Sequence, residues 1–181
     1  REDELPGKTV LIYGLGAIGA RIARLSRAFG MTTLGIKRDL TQGQDAVDEL
    51  HAPDAFSQLL PRADFVVLAC PLTDATRDLI NPTTLGLMRQ DAYLINVARG
   101  GCVDQDALID GLRAGAIAGA GLDVTTPEPL PADSPLWDLD NVILTPHTGG
   151  ETRKYEDNVI DVLLQNLPRL ASGEPLANAI V

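Results

Sequence analysis

The sequence predicts an α/β fold built on a doubly wound parallel sheet, and three observations carry that prediction. Residues 9–38 read as strand, glycine turn, helix and second strand. Further along, short apolar runs alternate with stretches of helical period, the pattern of successive right-handed crossovers. Several of those runs are unbroken by polar residues, as strands covered on both faces are.

The opening unit sets the rest. Residues 9–13, TVLIY, are apolar and β-branched over a strand's length and lead straight into Gly14-Leu-Gly-Ala-Ile-Gly19. Beyond the glycines the period becomes helical, with Ile18, Ile22, Leu25 and Phe29 on one face, until Gly30 closes the helix and 32–36 form the next strand. A helix that starts at such glycines is the context of a Rossmann-type dinucleotide site. Gly14 permits the tight turn, Gly16 lets backbone N–H groups approach a pyrophosphate at the positive helix end, and Gly19 lets helix and strand pack closely.

The following elements are assigned in order. Residues 41–49 form a polar connector with one helical turn, and 47–50 a short edge strand. Proline starts a helix over 53–60 with Ala55, Phe56, Leu59 and Leu60 inward, and 64–70, DFVVLAC, is a strand buried on both faces. Short helical pieces are expected at 76–80 and 82–88, a strand at 92–98, and a helix at 104–114 with Ala107, Leu108 and Leu112 as its stripe. A strand of small residues at 118–124 precedes a proline-rich loop, the last strand spans 142–145, and a long helix at 151–170 turns Val159, Val162, Leu163 and Leu167 inward.

Composition bounds the function. At 181 residues and 45% hydrophobic, the chain suits one globular domain, and no apolar run approaches the roughly 20 residues that span a membrane. A net charge of −10 argues against nucleic acid or an anionic membrane as partner. Cys70 and Cys102 have neither metal spacing nor a disulfide framework, which points to a reducing, cytoplasmic setting and no metal site.

In a doubly wound sheet, ligands sit outside the carboxyl ends of the strands, where Gly14, Pro71, Arg99, Asp123 and His147 all fall. Arg99, with its guanidinium fork, suits the carboxylate of a 2-hydroxy or 2-oxo acid. His147 suits proton exchange as hydride moves, and a carboxylate such as Glu128 beside it favours the charged imidazolium.

Four ordered motifs, Gly14-Leu-Gly-Ala-Ile-Gly19, Asn96-Val-Ala-Arg-Gly100, Gly119-Ala-Gly-Leu-Asp-Val124 with Pro127-Glu-Pro-Leu130, and Thr145-Pro-His-Thr-Gly-Gly150, resemble those of the D-isomer-specific 2-hydroxyacid dehydrogenases. The resemblance covers nearly the whole chain. It implies that Arg99 binds the substrate carboxylate and carbonyl, that His147 gives and takes the proton, and that Glu128 orients and charges His147. It further implies that Asp123, with the backbone near Val97 and Ala98, holds the nicotinamide carboxamide. Pro71 and Thr76 line the cofactor groove and Ala17 and Ile18 meet the pyrophosphate, with Leu15, Cys70 and Gly150 also on the cofactor side. Thr148, where the family often has an aliphatic residue, is a small departure.

Family members also carry a substrate-side lobe, so residues 1–172 are expected to be the dinucleotide-binding domain and 173–181 the start of a tail returning to a lobe absent here. The implied function is hydride transfer between NAD(P)H and a 2-oxo or D-2-hydroxy acid, by a complete protein that is a homodimer. A second class remains, a dinucleotide-sensing interaction protein like the C-terminal-binding corepressors, which resemble these dehydrogenases. For the cofactor, an NAD site places an acidic residue about 20 residues past the glycines. Here Lys37 stands at that position with Arg38 beside it, which favours NADP, with NAD the alternative through Asp39.

Overall fold

The computed structural model describes residues 4–178, which fall into two units divided after Pro146. The first is a seven-stranded, wholly parallel sheet. Its strands are β1 (Thr9–Tyr13), β2 (Thr32–Ile36), β3 (Glu49–His51), β4 (Phe65–Leu68), β5 (Tyr93–Asn96), β6 (Gly119–Leu122) and β7 (Val142–Leu144). They lie in the order β3-β2-β1-β4-β5-β6-β7, so the chain reverses its direction of travel across the sheet between β1 and β4. That reversal opens the crevice in which such sheets bind ligands.

Both faces of the central strands are covered, which is why their sequences are apolar runs rather than alternations. In β1, Leu11 and Tyr13 join one buried cluster with Leu34, Val66 and Leu68, while Val10 and Ile12 join a second with Leu15, Ala23 and Val67. The second cluster lies beneath α1 (Ala17–Ala28), and the first takes in α2 (Phe56–Leu59), α3 (Pro82–Leu85) and α4 (Gln105–Arg113). Asp104 caps α4 by accepting the Ala107 N–H, and Asn81 forms a capping box with Thr84 at α3. The second unit holds α5 (Tyr155–Ser172), ended by Gly173 with φ of 71°.

Three expectations change. Most of the apolar stripe of α1 faces outward, with Ile18 and Phe29 each 59% exposed and Leu25 51% exposed, while Ile22 packs half-buried against the second cluster and Gly19 and Ala23 face the sheet. An added Cβ at Gly19 would overlap the Gly14 carbonyl, so the helix lies too near β1 for large side chains between them. Val159, Leu163 and Leu167 of α5 are likewise exposed rather than inward. The 76–80 stretch is a series of turns without a helix, tied to the 101–104 segment by N–H bonds from Asp78 to Gly101 and from Ile80 to Cys102.

The β3 edge is held by side chains. Asp48 accepts the Thr33 N–H at 2.8 Å and the Thr33 hydroxyl at 2.9 Å, and Arg62 grips Glu49 in two parallel bonds of 3.0 and 2.6 Å. The backbone N–H of Thr33 is the main reason the Asp48 carboxyl lies below its ordinary range. A depressed folded-state value contributes stability above the ordinary carboxylate pKa that is lost as pH falls through the folded value. Asp48→Ala is therefore expected to cost about 1 kcal/mol at neutral pH after discounting for its exposure, and to flatten the pH dependence of urea unfolding below about pH 4. A pH profile parallel to that of the unmodified chain would remove this role.

Candidate cofactor and active site

At the carboxyl ends of β1 and β4 a cleft of about 380 Å³ opens. Tyr13, Gly14 and Gly16 form one wall, Cys70, Pro71 and Thr76 another, and Lys37, Arg38 and Asp39 close the end beyond β2. A second cavity shares Ala69, Cys70 and Pro71 with the first and continues along Ile18, Val97 and Ala98 to Arg99. The two together make one path across the ends of β2, β1, β4 and β5.

The glycine turn fits a pyrophosphate. Gly14 has φ of 101° and lies so close to the Ala69 backbone that no Cβ would fit. Gly16 is the N-cap of α1, and a Cβ there would meet nothing within 4 Å, which leaves room for a ligand against the backbone. Among the described residues no side chain caps that terminus, and the first turn carries no acidic group. The N–H groups and the positive helix end are thus offered outward, as an anion requires. Leu15 lines the cleft and is buried, with its side chain against Gly35.

On the opposite wall, the Thr76 hydroxyl donates to the Pro71 carbonyl at 2.7 Å and accepts the Thr73 N–H at 2.8 Å, which fixes the turn after β4. The thiols of Cys70 and Cys102 face each other: their hydrogen bond and burial raise the Cys70 pKa, and acceptance of that bond lowers Cys102 to about 7. Both are free, buried cysteines in contact with each other.

Asn96 was not anticipated as a site residue. Its side chain is 1% exposed and spans the turn after β5, donating to the Arg99 carbonyl at 3.0 Å and accepting the Ala98 N–H at 3.0 Å. This clamp fixes the backbone of Val97 and Ala98 and the base of Arg99, whose guanidinium donates to the Ala98 carbonyl at 2.7 Å. A polar residue closing a buried apolar run was the available signal. Gly100 then lets the Thr125 carbonyl come close, and the Thr126 N–H donates to Gln105 Oε1 at 3.0 Å. The base of the loop carrying Glu128 is thereby held against the Arg99 turn, and Glu128 itself is exposed.

Asp123 follows β6, where its N–H donates to the Asn96 carbonyl at 3.0 Å. His147 follows Pro146 after β7 and belongs to the second unit, as does Gly150. With φ of 56° it occupies the left-handed region, uncommon for a side chain of this size and a form of strain that gathers at functional sites. Ala17 is exposed in the first turn of α1, and Gly19 serves packing alone. Among the described residues no acidic, histidine or cysteine cluster suits a metal, and no helix is long and apolar enough to cross a membrane.

Removing the Asn96 clamp takes away the acceptor of the buried Ala98 N–H, while the Arg99 carbonyl keeps the N–H of Cys102 at 3.1 Å. Asn96→Ala is expected to cost about 1–3 kcal/mol in denaturant unfolding. Asn96→Asp keeps the bond from Ala98 but sets a carboxylate oxygen against the Arg99 carbonyl, so it too is destabilising near neutral pH. Unchanged unfolding midpoints in both variants would show that the turn holds its shape without the clamp.

Comparison with known proteins places this geometry. The family described as D-isomer specific 2-hydroxyacid dehydrogenase, NAD binding domain, matches residues 1–149. A glyoxylate reductase from Pyrococcus furiosus is 44% identical over 172 residues, 94% of this chain and 50% of the relative. A D-3-phosphoglycerate dehydrogenase from Methanocaldococcus jannaschii is 37% identical over 98% of this chain and 34% of its own length. The crystal structure of a D-isomer specific 2-hydroxyacid dehydrogenase from Xanthobacter autotrophicus Py2 in complex with NADPH and MES superposes with a TM-score of 0.88 at 36% identity, over 96% of this chain and 71% of that one. The chain thus spans half or less of the two curated relatives.

Proposed function

The chain belongs to the D-isomer specific 2-hydroxyacid dehydrogenase family, and from that premise we propose that it is the cofactor-binding and catalytic half of an oxidoreductase acting on a 2-oxo or D-2-hydroxy acid. The observation that carries this reading is the continuous path from the glycine turn to Arg99. The dinucleotide, when bound, supplies or accepts the hydride. Arg99 binds the substrate carboxylate and polarises its carbonyl, which orients the carbon that is reduced. His147 delivers a proton to the carbonyl oxygen in reduction and recovers it in oxidation, and Glu128 favours the charged imidazolium. Asp123 and the backbone at Val97 and Ala98 hold the carboxamide. The names of the relatives, reductase and dehydrogenase, favour the enzyme over the dinucleotide-sensing alternative. The complete protein is assigned a cytoplasmic place and a homodimeric state, supported by its free thiols and by the outward apolar face of α1.

Kinetics of the complete protein on a panel of 2-oxo acids test this. His147→Gln is expected to lower kcat by 100-fold or more, roughly the reach of a general acid, with little change in KM, whereas Arg99→Ala raises KM and lowers kcat together. Turnover of no 2-oxo acid by the unmodified protein would overturn the enzyme reading.

NADP(H) is the proposed cofactor in preference to NAD(H). Lys37 and Arg38 line the far end of the cleft, where they suit a 2′-phosphate. Asp39, the competing ribose ligand, accepts the Thr41 N–H at 2.9 Å and the Thr41 hydroxyl at 2.6 Å, and those bonds hold its carboxyl below the usual range. Both bonds fall on Oδ1 and turn that side of the carboxylate to its own loop. Titration of the chain should show NADPH bound roughly 10- to 150-fold more tightly than NADH, with the difference reduced in Lys37→Ala and Arg38→Ala. Equal or tighter binding of NADH would return the choice to Asp39.

A further inference from the structure

The ends of β5, β6 and β7 are tied in series. The Asp123 N–H donates to the Asn96 carbonyl at 3.0 Å, and the Thr145 N–H donates to the Leu122 carbonyl at 3.0 Å. Across these pinned backbones, the Thr145 hydroxyl donates to Asp123 Oδ1 at 2.6 Å. An O–H bond of that length to a carboxylate is of the strong, charge-assisted kind. Asp123 is half-buried and Thr145 exposed, so burial alone does not fix the carboxylate, and this bond constrains it directly.

We propose that Thr145 is a positioning residue that aims the Asp123 carboxylate at the amide N–H₂ of the nicotinamide carboxamide. The inference rests on the reading of Asp123 as the holder of that carboxamide. An ionised carboxylate offers about four acceptor sites, and the bond from Thr145 occupies one, so the same group receives the hydroxyl and an amide donor together. A carboxylate set in advance loses less freedom when the ligand arrives, and the gain appears only for a ligand that has the donor. Valine keeps the size of Thr145 and removes the hydroxyl. Serine keeps the hydroxyl and removes the methyl.

The test compares NADP with its 3-acetylpyridine analogue, in which a methyl group replaces the amide N–H₂, by calorimetric titration of the unmodified chain and of Thr145→Val, Thr145→Ser and Asp123→Asn. The expected result is that Thr145→Val weakens NADP about 5- to 10-fold while the analogue stays within about twofold, so the preference for the carboxamide falls. Thr145→Ser should restore it, and Asp123→Asn should lower it at least as far as Thr145→Val. Retained analogue binding reports that each variant is folded. Equal loss of both ligands in Thr145→Val would assign the residue a structural role and overturn the inference. A preference lost in Asp123→Asn but kept in Thr145→Val overturns the inference alone. A preference kept in both overturns the reading of Asp123, and the inference with it.

Discussion

The approach of α1 to β1 is the constraint on which the rest depends. With no Cβ tolerated at Gly14 or Gly19, the helix starts directly over the end of β1, and its first N–H groups face the crevice between β1 and β4. A separation larger by the size of one methyl group would move the helix end away from the phosphate position. It would also loosen Leu15 from its seat on Gly35, opening the second buried cluster. Binding geometry and core packing on that face are therefore one feature, satisfied by the same residues.

Beyond β4, hydrogen bonds take over from packing. The polar side chains that fix the turns after β4 and β5, Thr76 and Asn96, bond to backbone within five residues, so each strand end is shaped largely by its own sequence. The result is a row of separately stiffened turns on a common sheet. Chemistry can then be distributed over several strand ends while the relative positions stay those of the strands themselves.

Most of this was legible in the amino-acid order. The central strands were readable because burial on two faces demands apolar runs, and the glycine spacing gave the turn and helix start. Lys37, Arg38, Pro71, Thr76 and Arg99 fell on the cleft because strand ends are fixed once strands are known. The faces of α1 and α5 were not legible. Periodicity locates an apolar stripe without saying what meets it, and in α1 the nearness of β1 selects Gly19 and Ala23 as the inner residues. Thr145 escaped for a different reason: its hydroxyl bonds Asp123, 22 residues away, which only the folded backbone brings into reach, whereas the bonds of Asn96 stay within its own turn.

The two margins of the sheet are not equivalent. At β3 the exposed margin is three residues long and overlaid by the paired charges of Glu49 and Arg62, with His51 bonded to the same carboxylate at 3.0 Å. A strand from another molecule could join there only by displacing that ion pair. Joining margin to margin in one direction would be a head-to-tail contact that repeats without closing, and such growth needs both margins to be receptive. Guarding one of them is enough to end it, so the β7 margin can keep its exposed Ile143 without exposing the protein to fibre formation by this route.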